Sequence, residues 1–152
     1  EECRALLGEI GALAGPHFRY EEEALYPALV PFFGGDLVDK LYAEHDDAIA
    51  IAFRLVDIVQ ADSLAPHEIS EAVRLTRTLL PLVSKCDGLS LMAEVLERRE
   101  IDRVFAARKC SLEQGLDLLV WASGPRILTQ ASGTPGAAWA PDPSVLAFHS
   151  SL

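Results

Sequence analysis

Apolar residues recur at steps of three and four through most of the first 122 positions, the period of a helix face. No Val-, Ile-, Thr- or aromatic-rich run alternates with period two, so the pattern predicts no strands. Over residues 2–30 the stripe is Leu6, Ile10, Leu13, His17, Glu21, Ala24 and Ala28. Gly15-Pro16 is expected to interrupt it, because a proline inside a helix costs about 3 kcal/mol unless it opens a helix or kinks one. Pro27 and Pro31 are expected to end the segment, with a turn at Phe32-Phe33-Gly34-Gly35. Residues 36–61 make the clearest helix, striped by Leu41, His45, Ala48, Ala52, Leu55 and Val59, with Asp36 as N-cap and Asp39 in the first turn.

A turn at 62–65 leads to Pro66, which suits the first position of a helix. Residues 66–86 carry Val73, Thr76, Leu80 and Val83, and then Asp87, on one face, with a kink expected at Pro81 and a break at Gly88. Residues 89–109 form another helix through Leu89, Met92, Val95, Leu96, Val104 and Phe105. Ser111 is the expected cap of a short last helix over 112–122, with Glu113 in its first turn. From 123 to 152 glycine, proline, alanine and serine take over, which reads as a tail; Trp139 and Phe148 are its aromatic residues. The expected organisation is an all-α, up-and-down antiparallel helical bundle over 1–122 followed by a tail over 123–152.

Thirteen basic against 23 acidic residues leave a formal net charge of −10, which repels phosphate backbones and anionic lipid and argues against nucleic acid or membrane partners. Half the residues are apolar, yet no uninterrupted run approaches the roughly 20 that span a bilayer. Cys3, Cys86 and Cys110 form no CxxC pair, which excludes a zinc knuckle and suits a reducing, cytoplasmic setting. The chain opens at Glu1-Glu2-Cys3 without methionine or signal peptide and so reads as a fragment or a processed product.

Two of the stripes hold polar residues where core side chains belong. His17 and Glu21, four apart, leave one face a turn apart, and His45 sits mid-stripe on the next helix. Two imidazoles and a carboxylate make a nitrogen–oxygen donor set that iron, manganese and zinc all tolerate. Counted from a turn near 29–35, the two histidines lie roughly 18 and 15 Å from the same end, close enough to meet in an antiparallel pair. Carried on to the third helix, the count brings Val83 level with His45 and Asp87 one turn further. Plainer roles remain for each residue: a hydrogen-bonded or solvated His17, a solvated acidic face at Glu21-Glu22-Glu23, a satisfied core His45, an exposed Asp87 and a packed Cys86. Glu21 is preferred within its triplet because it alone stays on the His17 stripe. His67-Glu68 begins like HExxH, but Glu71 stands where the second histidine is needed, so the pair reads as first-turn charge. His149 lies in the tail.

The stretch from His17-Phe18-Arg19-Tyr20-Glu21-Glu22 to Leu25-Tyr26-Pro27, followed by Glu44-His45, resembles the hemerythrin-like (HHE cation-binding) domain, whose second helix reads H-F-x-x-E-E-x-x-L-(F/Y)-P and whose third carries E-H. The likeness is good over 2–60, weaker over 66–109 and absent beyond about 122. It implies a four-helix bundle binding iron, mononuclear or dinuclear, with His17, Glu21 and His45 as metal ligands and Tyr20 or Glu44 supporting them. Members of the family bind dioxygen or nitric oxide, sense iron or redox state, or repair iron–sulfur clusters.

The chain departs from the family at two places. Its first helix corresponds to the family's second, and Val83 and Asp87 stand where the last helix brings H-x3-E. A metal-binding domain with a small diatomic ligand is therefore one expectation. The other is a helical protein-interaction module that kept the bundle and lost its metal, completed by residues 112–122, the tail, a homodimer or a partner protein. A di-iron enzyme would need a full ligand set and a substrate pocket, which the sequence does not supply.

Overall fold

The structure, a computed structural model, describes residues 1–126, apart from the side chains of Val83, Ser84, Cys86, Asp87 and Ser90. Trp139, Phe148, His149 and most of the expected tail lie outside it. The first rod is one long helix in three parts: α1 (Glu2–Tyr20), a π-helical segment (Glu21–Leu25) and α2 (Tyr26–Phe33). Gly34 (φ 83°), in the left-handed region that suits glycine, reverses the chain. Then come α3 (Gly35–Val59), α4 (Pro66–Met92), a 3₁₀ turn (Ala93–Val95), α5 (Arg98–Gln114) and α6 (Leu118–Ala122). No strand occurs among the described residues, as the periodicity predicts. No described helix is long and apolar enough to cross a membrane.

Neither Gly15-Pro16 nor Pro27 and Pro31 divides the first rod. Pro16 and Pro31 lie inside helices. Pro27 has no N–H for the carbonyl of Glu23 four residues back. The wider π turn lies over that gap, and Tyr26 N–H bonds Glu21 O five residues back. Pro81 and Gly88 likewise leave α4 unbroken to Met92, so residues 89–92 close α4 and the next helix starts only at Arg98. Asp36 is not a cap but a first-turn residue, since Gly34 holds that position. Ser111 is buried inside α5, which ends at Gly115 (φ 58°), and the cap of the last helix is Asp117, whose Oδ1 accepts from Leu119 N at 2.8 Å.

The α3 stripe packs inward as read, with His45, Ala48 and Leu55 buried. The stripes of α1 and α4 do not. Leu6, Ile10 and Leu13 are 51%, 57% and 76% exposed, and Val73 and Leu80 face water as well. On α4 the packed face is Ala72, Leu75, Leu79 and Leu82, which has the same three-and-four spacing. On α1 the packed face is Gly11, Ala14, Gly15 and Phe18, turned toward residues 116–118. A Cβ on Gly15 would stand 2.6 Å from Leu118 N and 2.7 Å from the Asp117 carbonyl carbon. Only glycine lets the chain entering α6 come so close.

Helix α5 runs antiparallel against α1 and α2: Arg19 bonds Gln114, and Pro31 and Glu100 share a surface groove. Helix α6 folds back to bury Leu118, Trp121 and Ala122 with Phe18, Ala48 and Ile49. Arg4 donates to the carbonyls of Val59, Gln60 and Ala61 at 2.6, 2.9 and 3.1 Å, closing the end of α3.

Candidate cation site

The first rod and α3 meet at a buried polar cluster. Glu21, Glu22 and His45 are each 1% exposed. In a regular helix Tyr26 would point about 140° away from Glu21, five residues at about 100° each. The π turn reduces that angle, so Glu21, Glu22 and Tyr26 all face α3.

The Glu21 carboxylate lies between two imidazoles. Its Oε1 is 3.3 Å from His17 Nε2 on its own rod, and its Oε2 is 3.2 Å from His45 Nε2 on α3. Tyr26 Oη is 2.8 Å from His45 Nε2 and 3.2 Å from Glu21 Oε2. On the other edge of the His45 ring, Nδ1 is 3.0 Å from Glu22 Oε1. Phe18 stacks on the ring face, centroids 3.9 Å apart and planes 12° apart, which fixes the plane in which both nitrogens point. Tyr42 donates to the Glu22 carbonyl at 3.1 Å.

Charge is balanced from the C-terminal side. The Arg126 guanidinium, its side chain 2% exposed, donates Nε–H to Glu22 Oε2 at 3.0 Å, bonds Glu22 Oε1 through Nη2, and reaches Asp46 Oδ1 at 2.5 Å through Nη1. Burial of the guanidinium opposes its charge, but the bonds to Glu22 and Asp46 outweigh burial and hold its pKa above the usual arginine value. Trp121 lies under it, 5.2 Å from centroid to Cζ.

The three sequence-predicted residues thus come together about one carboxylate. Their donor atoms face one another rather than a shared gap, and among the described residues no group of three or more His, Cys, Asp or Glu side chains is arranged to hold a metal ion as it stands. The donor chemistry nevertheless fits one. Glu22 meets the Arg126 guanidinium on one side and His45 Nδ1 at 3.0 Å on the other. His45 Nε2 then faces Glu21 Oε2, with the single proton of Tyr26 available to both. His45 Nε2, Glu21 Oε2 and the Tyr26 hydroxyl thus gather one nitrogen and two oxygens, donors that a hard-to-borderline cation accepts. An imidazole whose far nitrogen donates to a carboxylate is also the usual form of a metal-binding histidine.

Glu44 is not part of the cluster. It pairs with Lys85 at 2.5 Å on the surface, and that pair also shows α4 running level with His45 where counting places it. The side chains of Val83 and Asp87 lie outside the described residues. Tyr20 touches His17 edge-on at 5.5 Å between centroids. Sequence reasoning missed Glu22, Tyr26 and Arg126. Pro27, four residues after Glu23, was the available signal for the first two, because it announces a widened turn. Nothing local announces Arg126. Glu23 alone of its triplet is exposed, paired with Arg19 at 2.9 Å.

A cavity of about 510 Å³ reaches this cluster from the surface between α1, the π segment and α5. His17 and Glu21 line it, together with Tyr20, Leu25, Phe105 and Arg108. His17 is the solvent-side member, with a side chain 39% exposed.

The model of the family described as the hemerythrin HHE cation binding domain matches residues 1–102. No curated protein and no solved structure matches the chain.

Proposed function

The chain belongs to the hemerythrin HHE cation-binding family, and on that premise we propose that it holds one cation, iron in the first place, between His17, Glu21 and His45. The observation that carries this reading is the buried Glu21 carboxylate set between imidazoles of two different elements at 3.3 and 3.2 Å. Tyr26 Oη, beside both Glu21 and His45, would be a fourth donor for the same ion. A hard-to-borderline ion matches this nitrogen–oxygen set, and one ion matches the described donors, which gather about a single carboxylate.

When bound, the ion would supply a Lewis-acidic coordination position for a small diatomic such as dioxygen or nitric oxide. The residues divide the remaining work. Glu22 and Phe18 hold the His45 ring with Nε2 turned toward Glu21. Tyr26 can give its proton to either side of that edge. His17 and Glu21 line the cavity and are the donors a molecule entering from solvent meets first. Leu25, Leu96, Ile101 and Phe105 make an apolar wall opposite the donors, with Glu94 and Arg108 also lining the cavity.

Elemental analysis and anaerobic Fe(II) titration test the reading. The expected result is one ion per chain, with a thermal midpoint that rises on loading and falls with chelator. An ion at about 100 times its dissociation constant adds about 2.7 kcal/mol to the folded state. No bound metal, together with a melt indifferent to chelator, would leave the helical interaction module in its place.

A further inference from the structure

We propose that the chain binds one free medium-chain alkanoate in an apolar cavity between α1, α3, α4 and α6, with the carboxylate at Arg4. The cavity measures about 530 Å³, and none of His17, Glu21 and His45 lines it. The proposal therefore stands or falls apart from the cation reading.

The fold explains why space is left there. Helix α6 has only five residues and starts from its Asp117 cap, against Gly11 and Gly15. Its side chains fill the gap beside α1 and α3 from that point toward Phe18 and Ile49, and Leu118 and Leu119 form one end of the cavity. On the other side of Asp117, toward Arg4, no described residue fills the same gap. Leu7, Leu55, Val59 and Leu79 wall it with hydrocarbon, and a Cβ on Gly8 would meet nothing within 4 Å. Arg4 to Gly11 on α1 and Val59 back to Ala52 on α3 form the long walls, each about 10 Å. Water gains few hydrogen bonds against such walls, and a cleft of this size with a few polar groups is the usual form of a small-molecule site.

The charges of the lining choose the head group and its direction. Arg4 Nε and Nη2 donate to the carbonyls that end α3, which fixes the guanidinium at the rim. Its Nη1 makes no hydrogen bond among the described residues. Asp62 comes no nearer than 3.9 Å and is fully exposed, so water screens it. A permanently charged, pre-oriented fork with a donor still open matches a carboxylate. Asp117, the other charged lining residue, is engaged as the α6 cap and repels an anion from its own end. The carboxylate accordingly lies at Arg4 and the hydrocarbon chain runs toward Leu118.

The test is calorimetric titration of the chelator-treated 152-residue chain with hexanoate, octanoate and 1-octanol. One octanoate should bind per chain, about fifteenfold more tightly than hexanoate, because each buried methylene contributes about fourfold. Arg4→Gln should weaken octanoate about tenfold and leave octanol, which has the chain without the charge, within about twofold. A purely structural role for Arg4 would weaken both alike. Gly8→Leu places a side chain in the open space and improves helix propensity, so it should melt no lower than wild type and lose both ligands. No octanoate binding to wild type at millimolar concentration overturns the proposal, as does an affinity indifferent to chain length. So does a Gly8→Leu protein that binds as wild type does, or an Arg4→Gln protein in which the two ligands respond alike. Sedimentation gives the last check: a dimer that Gly8→Leu separates would make a second copy the occupant and overturn the proposal too.

Discussion

Replacing Gly15 by alanine probes how tightly α1 is drawn against the chain entering α6. In an isolated helix the change stabilises by about 1 kcal/mol, because glycine loses more backbone freedom on folding. In the protein the new methyl would meet backbone on three sides: Leu116 O, Leu118 N at 2.6 Å and the Asp117 carbonyl carbon at 2.7 Å. Backbone cannot swing aside as a side chain can, so residues 116–118 would have to retreat. That retreat loosens Leu118 and Trp121 against Phe18 and Ile49. Overpacking of this kind costs about 1–3 kcal/mol, and contact with backbone belongs near the upper end. After the propensity gain, a net destabilisation of about 1–2 kcal/mol is expected. Gly8 is the control, since it lies in the same helix with nothing within 4 Å of an added Cβ. Gly8→Ala should therefore stabilise by up to about 1 kcal/mol. Urea unfolding followed by circular dichroism reads both, with Trp121 emission in a Trp139→Phe background as the local reporter. A Gly15→Ala protein as stable as Gly8→Ala would refute the close approach and the account of why the α1 stripe faces outward.

Asp117→Ala removes the acceptor for Leu119 N and should cost about 1 kcal/mol in urea unfolding; because α6 has only five residues, Trp121 emission should change before helical content does. The bond from Arg54 holds the Glu71 carboxyl below its usual range despite partial burial. A depressed carboxyl pKa stabilises above the unfolded value and loses that contribution as pH falls through the folded one. Arg54→Gln should therefore be less stable than wild type at pH 7, with the gap closing below about pH 4.5 and shrinking in high salt; a gap constant down to pH 3 would contradict the assignment.

Much of the fold was legible in one sequence. Three-and-four spacing identified helices, and the absence of period-two runs excluded strands. The α3 stripe was read in part: His45, Ala48 and Leu55 are buried, but so are Val38, Tyr42, Ile49 and Ile58, which lie beside it. Along α1 and α4 two faces satisfy the same spacing, Leu6–Ile10–Leu13 against Gly11–Ala14–Phe18, and Val73–Leu80 against Leu75–Leu79–Leu82. Choosing by hydrophobicity picked the exposed face, because the packed face of α1 works by being small. Prolines misled for a related reason. Their cost is local, whereas the π turn and the packing that offset it belong to the whole rod.

His17, Glu21 and His45 were found from sequence because helical periodicity and level counting are geometric consequences of a regular repeat, and those three sit on it. Glu22, Tyr26 and Arg126 lie off that repeat. Glu22 and Tyr26 turn inward only where the helix widens, and Arg126 arrives across about a hundred residues of chain. A single sequence determines which faces are able to meet. Which of two equivalent faces is buried, and which distant charge neutralises an interior carboxylate, depends on how closely backbones approach, and that is a property of the assembled helices alone.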